Sequence, residues 1–131
     1  LSCLTHSAHA HEYYAARFKI IHPWSVQTES SQTSAPVYMH FEGITEGDRL
    51  ISASTPIADK VDIVGSPSGG DTPTQPGIAL PAGQDLELKP GQQHLLLSGL
   101  KVQLLESRSY PLTLVFEKSG TVETMLSVGG H

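Results

Sequence analysis

The chain has 131 residues, of which 38% are hydrophobic and 16% are charged, which is the composition of an ordinary globular domain and not of a disordered segment. Its formal net charge of −5 provides no excess of Lys and Arg to neutralise phosphates, so we predict that nucleic acid is not a partner. No apolar run reaches the roughly 20 residues of a transmembrane helix, and we predict no membrane span.

A possible processing site lies at the start of the chain. Ala8-His9-Ala10 matches the A-x-A pattern after which signal peptidase cuts. Residues 1–10 are therefore interpreted as the remnant of a signal peptide, and residues 11–131 as one mature domain. Export to the periplasm is predicted on this basis.

Two other interpretations of the same segment stay open. Residues 1–10 could instead be the remnant of a tag. Alternatively, Leu1-Ser2-Cys3 could end a lipobox, so that Cys3 carries a lipid and His11 is internal. Cys3 is the only cysteine, so a chain cut before His11 forms no disulfide and no thiolate metal site.

A histidine at a free N-terminus is an unusual metal ligand. Its α-amino nitrogen and its imidazole can chelate the same ion. The α-amine titrates at about pH 7.7–8.0, so its neutral form is available near neutral pH. Nitrogen ligands of this kind suit Cu(II). Cleavage before His11 would create such a terminus.

Period-two alternation and turn residues predict short strands along the whole chain. The predicted strands cover residues 13–21, 35–42, 49–54, 60–64, 78–80, 86–88, 93–97, 112–117 and 121–128. Pro23 is predicted to end the first strand. Residues 65–77 contain three prolines and four glycines and are predicted to form a loop. About seven to nine short strands without a helical pattern predict an all-β fold, an immunoglobulin-like Greek-key β-sandwich.

Short sequence motifs spread over residues 22–128 carry a family resemblance. They are His22-Pro23-Trp24, Asp48-Arg49-Leu50, Leu80-Pro81-Ala82-Gly83, Leu86-Glu87-Leu88-Lys89-Pro90-Gly91, His94-Leu95, Gly99-Leu100 and Pro111-Leu112-Thr113-Leu114-Val115-Phe116-Glu117-Lys118-Ser119-Gly120. In these motifs the chain resembles the PCuAC family of periplasmic copper chaperones. The resemblance implies a cupredoxin-like β-sandwich, export, and delivery of copper to a copper-accepting membrane or periplasmic enzyme.

The metal ligands that this resemblance implies are mostly missing. The family pattern has a His at the end of a strand, a Met in the following loop and a later His-x-Met. In this chain Val64 stands at the first position, residues 65–77 contain no Met, and the last motif keeps His94 but has Leu96 in place of Met. Thioether sulfur favours Cu(I), whereas nitrogen favours Cu(II), so we expect Cu(II).

A histidine brace is the predicted replacement site. In a brace, an N-terminal histidine provides two nitrogens and a second histidine provides a third. His11, His40 and His94 are the predicted metal ligands, with His40, His94 or both completing the site. Alternatively, His94 is retained for a hydrogen bond and His40 is an exposed strand residue without a function. His22 is interpreted as structural.

The leading functional hypothesis is a copper-binding protein, a chaperone or store for one Cu(II) ion, and not an enzyme. One alternative is a metal-free scaffold that acts through protein contacts. A second is a copper oxygenase that uses the brace on polysaccharides, but aromatic residues make up only 6% of the chain and Trp24 is predicted to be buried. Met39 and Met125 are predicted to fill the core.

Overall fold

Ten β-strands and no helix make up the part of the chain that this computed structural model describes, residues 12–65 and 77–129. The strands are β1 (Glu12–Tyr14), β2 (Lys19–Ser25), β3 (Ser34–Glu42), β4 (Asp48–Ser54), β5 (Ala58–Val64), β6 (Ile78–Leu80), β7 (Leu86–Leu88), β8 (His94–Leu100), β9 (Ser109–Phe116) and β10 (Gly120–Val128). The all-β prediction is confirmed. Within the described ranges, no helix is long and apolar enough to cross a membrane.

The strands lie side by side in the order β5-β8-β3-β2-β10-β9-β4-β6, with β1 paired to β2 and β7 paired to β3. β2 and β10 pair in parallel, and the other pairs are antiparallel. β7 and β8 lie end to end along the same edge of β3, because β7 pairs with its second half and β8 with its first. This arrangement brings the turn between β7 and β8 next to the middle of β3.

The core lies between two layers, one containing β3 and the other β9. Phe41 of β3 and Phe116 of β9 face each other, with ring centroids 6.2 Å apart. Phe18 packs edge-on against both, at 5.9 Å and 4.8 Å. All three rings are almost fully buried, and burial of each stabilises the fold by roughly 1.5–3 kcal/mol.

The prediction that Pro23 ends the first strand is wrong. A turn in which the Ala15 amide donates to the Phe18 carbonyl, at 2.9 Å, divides the predicted strand into β1 and β2. β2 then continues through Pro23, since its pairing with β3 shifts between Ile21 and Trp24. At such an irregularity the ladder is interrupted, and the missing N–H of proline is tolerated.

Of the three residues predicted to be buried, one is buried and two are not. Met39 lies in the core, as predicted. Met125, in contrast, is 38% exposed, because its position on β10 alternates with the buried Thr124 and Leu126. Trp24 is only partly buried and lies on the outer face of the sheet.

Gly99 is expected to be more sensitive to substitution than Gly91. Both have a positive φ, of 67° and 82°, but only at Gly99 would a Cβ collide with a side chain, that of Asp59 on β5. We expect Gly99→Ala to lower the free energy of unfolding by about 2 kcal/mol and Gly91→Ala by about 1 kcal/mol. Urea unfolding measures both, and equal losses would contradict the steric part of this argument.

Candidate metal site

The outer face of β3 and β8 places His40 and His94 on the same side of the sheet. In β3, His40 alternates with buried residues such as Met39. In β8, His94 precedes the buried Leu95 and so faces outward. The prediction that these two histidines lie on exposed strand faces therefore agrees with the structure.

Tyr38 lies between the two histidines. The pairing of β3 with β8 brings His94 beside Tyr38, and the centroids of their rings are 5.7 Å apart. Tyr38 also packs against Trp24, with centroids 4.8 Å apart. Burial raises the pKa of Tyr38, so its phenol stays protonated at neutral pH. His40 is two residues farther along β3, roughly 7 Å away along the strand.

The turn between β7 and β8 orients the ring of His94. Pro90 is followed by Gly91 with a φ of 82°, and the Gln92 amide donates to the Lys89 carbonyl at 3.0 Å, as in a type II turn. Nδ1 of His94 lies 2.7 Å from the Gln92 carbonyl oxygen. Because a carbonyl only accepts, Nδ1 carries the proton and the lone pair of the neutral ring is on Nε2. A ring held in this way is typical of histidine metal ligands.

The ring of His40 is directed along β3 towards two carboxylates. Its Nε2 lies 3.1 Å from Oε2 of Glu42 and 3.9 Å from Oδ2 of Asp85. Nε2 is buried and makes no hydrogen bond, so the contact of 3.1 Å lacks hydrogen-bond geometry. The nitrogen and the two carboxylate oxygens lie within 4.8 Å of one another. The structure thus groups His40 with Glu42 and Asp85 and does not group it with His94.

His11, the third predicted ligand, lies outside the described residues. Glu12, the residue bonded to it, pairs with Ile21 of β2, and Ile21 pairs with His40 of β3. Since neighbouring strands are about 4.8 Å apart, the backbone of Glu12 lies roughly 10 Å from that of His40. The start of the described chain is therefore close to the outer face of β3.

The sequence model of the LpqE-like lipoprotein family matches residues 18–128 of this chain. The chain belongs to the LpqE-like family. No curated protein matches its sequence.

Solved PCuAC domains have the same fold as this LpqE-like protein. The copper-bound PCuAC domain from PmoF2 is 27% identical, with a TM-score of 0.80 over 92% of this chain and 99% of that one. The apo PmoF2 PCuAC domain is 28% identical, with a TM-score of 0.78 over 92% and 95%. Cu(I)-bound DR1885 from Deinococcus radiodurans is 20% identical, with a TM-score of 0.68 over 82% and 74%, and shows the shared fold alone. The predicted resemblance and the cupredoxin-like sandwich are confirmed.

Two of the other positions that the resemblance assigns to ligands are apolar in this LpqE-like protein. Val64 pairs directly with His94 across β5 and β8 and is buried. Leu96 lies two residues beyond His94 on the same face of β8. Of the positions that the resemblance assigns to ligands, His94 is thus the one with a nitrogen donor in the described part of the chain.

Asp85 was not predicted as a site residue. Glu42 lies two residues after His40 in β3, so the alternation of the strand predicts that both face the same side. Asp85 reaches this face because β7 pairs with β3, so that His40 lies opposite Glu87. No local pattern in the sequence specifies that pairing. His22, interpreted as structural, lines an open cavity of about 420 Å³ together with His40 and has a φ of 51°.

Proposed function

We propose that this LpqE-like protein is an exported copper-binding protein that stores one Cu(II) ion or hands it over, and that it does not catalyse a reaction. The observation that carries the proposal is the ring of His94. Its Nδ1 is 2.7 Å from the Gln92 carbonyl, which leaves the lone pair of Nε2 for a metal. Copper is the cargo of the protein, and a copper-accepting enzyme is its proposed partner.

One of the solved relatives supports copper as the metal. The PmoF2 domain, which is 27% identical and aligns with 92% of this chain, is described as copper-bound. DR1885 holds Cu(I), whereas the donors proposed here contain nitrogen and no sulfur. Met39 is in the core and Met125 lies on β10, away from β3 and β8. Nitrogen donors favour Cu(II).

The α-amine and imidazole of His11 are the other proposed ligands, in a histidine brace completed by His40, His94 or both. The strand pairing supports this proposal. Glu12 of β1 lies beside Ile21 of β2, and Ile21 lies beside His40 of β3, so the start of the described chain is close to the outer face of β3. His94 has the freer nitrogen of the two, since Nε2 of His40 already faces two carboxylates.

The brace requires cleavage before His11. The lipoprotein description of the family supports export, and it also keeps lipidation of Cys3 open. With a lipid on Cys3, the nitrogen of His11 is an amide and cannot bind copper as an amine. The two maturation routes therefore make opposite predictions for copper affinity. We propose the periplasm as the location in both cases.

Titration with Cu(II) tests the role of His94. In the chain that begins at His11, we expect one equivalent to bind with a type-2 EPR signal that shows nitrogen coupling. His94→Ala should weaken binding at least about tenfold, which corresponds to roughly 1.4 kcal/mol. His22→Ala is the matched control, and we expect its affinity to stay within about twofold of the parent.

Two outcomes would contradict the proposal. If His22→Ala and His94→Ala weaken Cu(II) binding equally, His94 has no specific role in holding the ion. A parent chain that binds no stoichiometric Cu(II) would instead favour the metal-free scaffold. His40→Ala, measured in parallel, determines whether the second imidazole contributes.

A further inference from the structure

We propose that His40, Glu42 and Asp85 form a second cation site, which binds Zn(II) and does not depend on the N-terminus. This inference goes beyond the copper-binding function. Because it uses His40, it also leaves His94 as the imidazole available to copper.

The spacing of the three donor atoms fits a tetrahedral ion. Bonds of about 2.0–2.2 Å from zinc to nitrogen and oxygen place neighbouring ligand atoms roughly 3.3–3.5 Å apart. Nε2 of His40 is 3.1 Å from Glu42 and 3.9 Å from Asp85, so the observed distances bracket this value. The two carboxylates also offer oxygens within 4.8 Å of each other.

Nε2 of His40 is the atom that points to a ligand. It is buried and makes no hydrogen bond, although its side chain is 31% exposed. A buried nitrogen that makes no hydrogen bond costs free energy, even with a carboxylate oxygen 3.1 Å away, and such atoms are uncommon in folded proteins. An ion between the three side chains would satisfy this nitrogen. The carboxylates of Glu42 and Asp85 are 40% and 62% exposed, so the ion can enter from solvent.

The charges around the triangle favour a cation. Glu87 lies opposite His40 on β7, and Glu12 lies in the same row across β2. Two lysines are nearby: Lys89 lines the same cavity as His40, and Nζ of Lys19 is 3.9 Å from Oε1 of Glu42. Lys19 faces the oxygen of Glu42 that does not face His40, and so leaves Oε2 for the ion. Negative charge on this face raises the local concentration of divalent cations.

The donor set selects among metals. One imidazole and two carboxylates contain no sulfur and do not suit Cu(I). Ca²⁺ takes about six to eight oxygen ligands, and Mg²⁺ keeps an octahedral shell of oxygens, so an imidazole-containing triangle suits neither. Zn(II) accepts nitrogen and carboxylate oxygen together, and with three protein ligands it keeps a fourth position for water.

Zinc titration of the chain with its His11 amine acetylated tests the site without the brace. We expect one equivalent of Zn(II) to bind by calorimetry, and Co(II), used as an optical probe, to show the intense visible bands of tetrahedral coordination. Asp85→Asn and Glu42→Gln should each weaken zinc binding at least about tenfold. Glu87→Gln removes the same charge outside the triangle; because Glu87 attracts the ion only at a distance, the loss should be smaller, at most about threefold.

The outcomes separate this site from the copper site. If Glu87→Gln weakens zinc binding as much as Asp85→Asn, the attraction is diffuse and the proposed site is wrong. Zinc binding that requires a free His11 terminus would also overturn it. Asp85→Asn should leave Cu(II) binding at the His11 terminus unchanged, so a failure of the zinc site and a failure of the copper proposal give different results. Circular dichroism of each variant confirms that the fold is retained.

Discussion

Acetylation of the α-amine of His11 is expected to reduce the Cu(II) affinity of the protein by about a thousandfold, or roughly 4 kcal/mol. Acetylation turns the amine into an amide that is not basic at neutral pH, and it leaves no free amine at the terminus to anchor the ion. The chelate ring formed by the amine and the imidazole of His11 is then lost, and single imidazoles such as that of His94 remain. Competition against a Cu(II) chelator of known affinity, followed by EPR, measures the loss.

Glu12→Gln is the matched control for this acetylation. It changes the neighbouring side chain, whose Oε1 accepts a hydrogen bond from the Tyr14 hydroxyl at 2.9 Å, and leaves the amine of His11 intact. We expect its Cu(II) affinity to stay within a fewfold of the parent. If the acetylated and native chains bind Cu(II) equally, the terminus is irrelevant and the brace is wrong.

A measurement of the mass of the exported protein identifies the N-terminus of the mature chain. A mature chain that begins at His11 makes the brace available, whereas a lipid on Cys3 removes it. In the second case the described ligands, His94 and His40, would have to hold copper without an amine. A monodentate imidazole pair binds more weakly than a chelating terminus, so the protein would release copper more readily.

The strands were largely predictable because each has one buried and one exposed face. Val37, Met39 and Phe41 alternate with outward residues in β3, and this pattern specifies both the strand and the face that carries His40. The break between β1 and β2 was not predictable in the same way. It depends on a backbone turn at Ala15, where side-chain alternation continues through the bend.

The candidate site was predictable only where its residues share a strand. Glu42 follows His40 by two positions, and both therefore face outward. Asp85 joins them through the pairing of β7 with β3, which is a long-range contact without a local signal. The hydrogen bond from His94 to Gln92 depends in turn on the Pro90-Gly91 turn, whose residues were recognised but whose effect on the imidazole was not.

Two motifs that carry the family resemblance meet in space through one side chain. The carboxylate of Asp48, at the start of β4, accepts hydrogen bonds from the amides of Arg49 and Lys118 at 2.8 Å each. It also accepts bonds from the amide and the hydroxyl of Ser119, at 3.0 Å and 2.7 Å. Asp48 thereby ties the β9–β10 hairpin to β4. The resemblance at these motifs reflects the requirements of the fold rather than metal binding.

Asp48→Ala is expected to lower the free energy of unfolding by about 3 kcal/mol, because it leaves three backbone amides and one hydroxyl without their acceptor. Thermal or urea unfolding measures this loss. Ser119→Ala is the matched control. It removes one of the four bonds and keeps the carboxylate, so we expect a loss of about 1 kcal/mol. Similar losses in both variants would contradict the central role of the carboxylate.

The pH dependence gives an independent test of Asp48. Burial alone would raise the pKa of this carboxyl, but the bonds from Ser119, Lys118 and Arg49 outweigh it and hold the pKa below the ordinary value of 3.8. A group whose pKa is lower in the folded protein binds more protons when unfolded. Its stabilisation is therefore fully present above about pH 5 and is lost as the pH falls through the folded pKa. Asp48→Asn cannot titrate, so the difference in unfolding free energy between the parent and this variant should be largest near neutral pH and should shrink in acid. A difference that stays constant down to about pH 2, below the unfolded pKa of roughly 3.9, would show that the charge of Asp48 does not stabilise the hairpin.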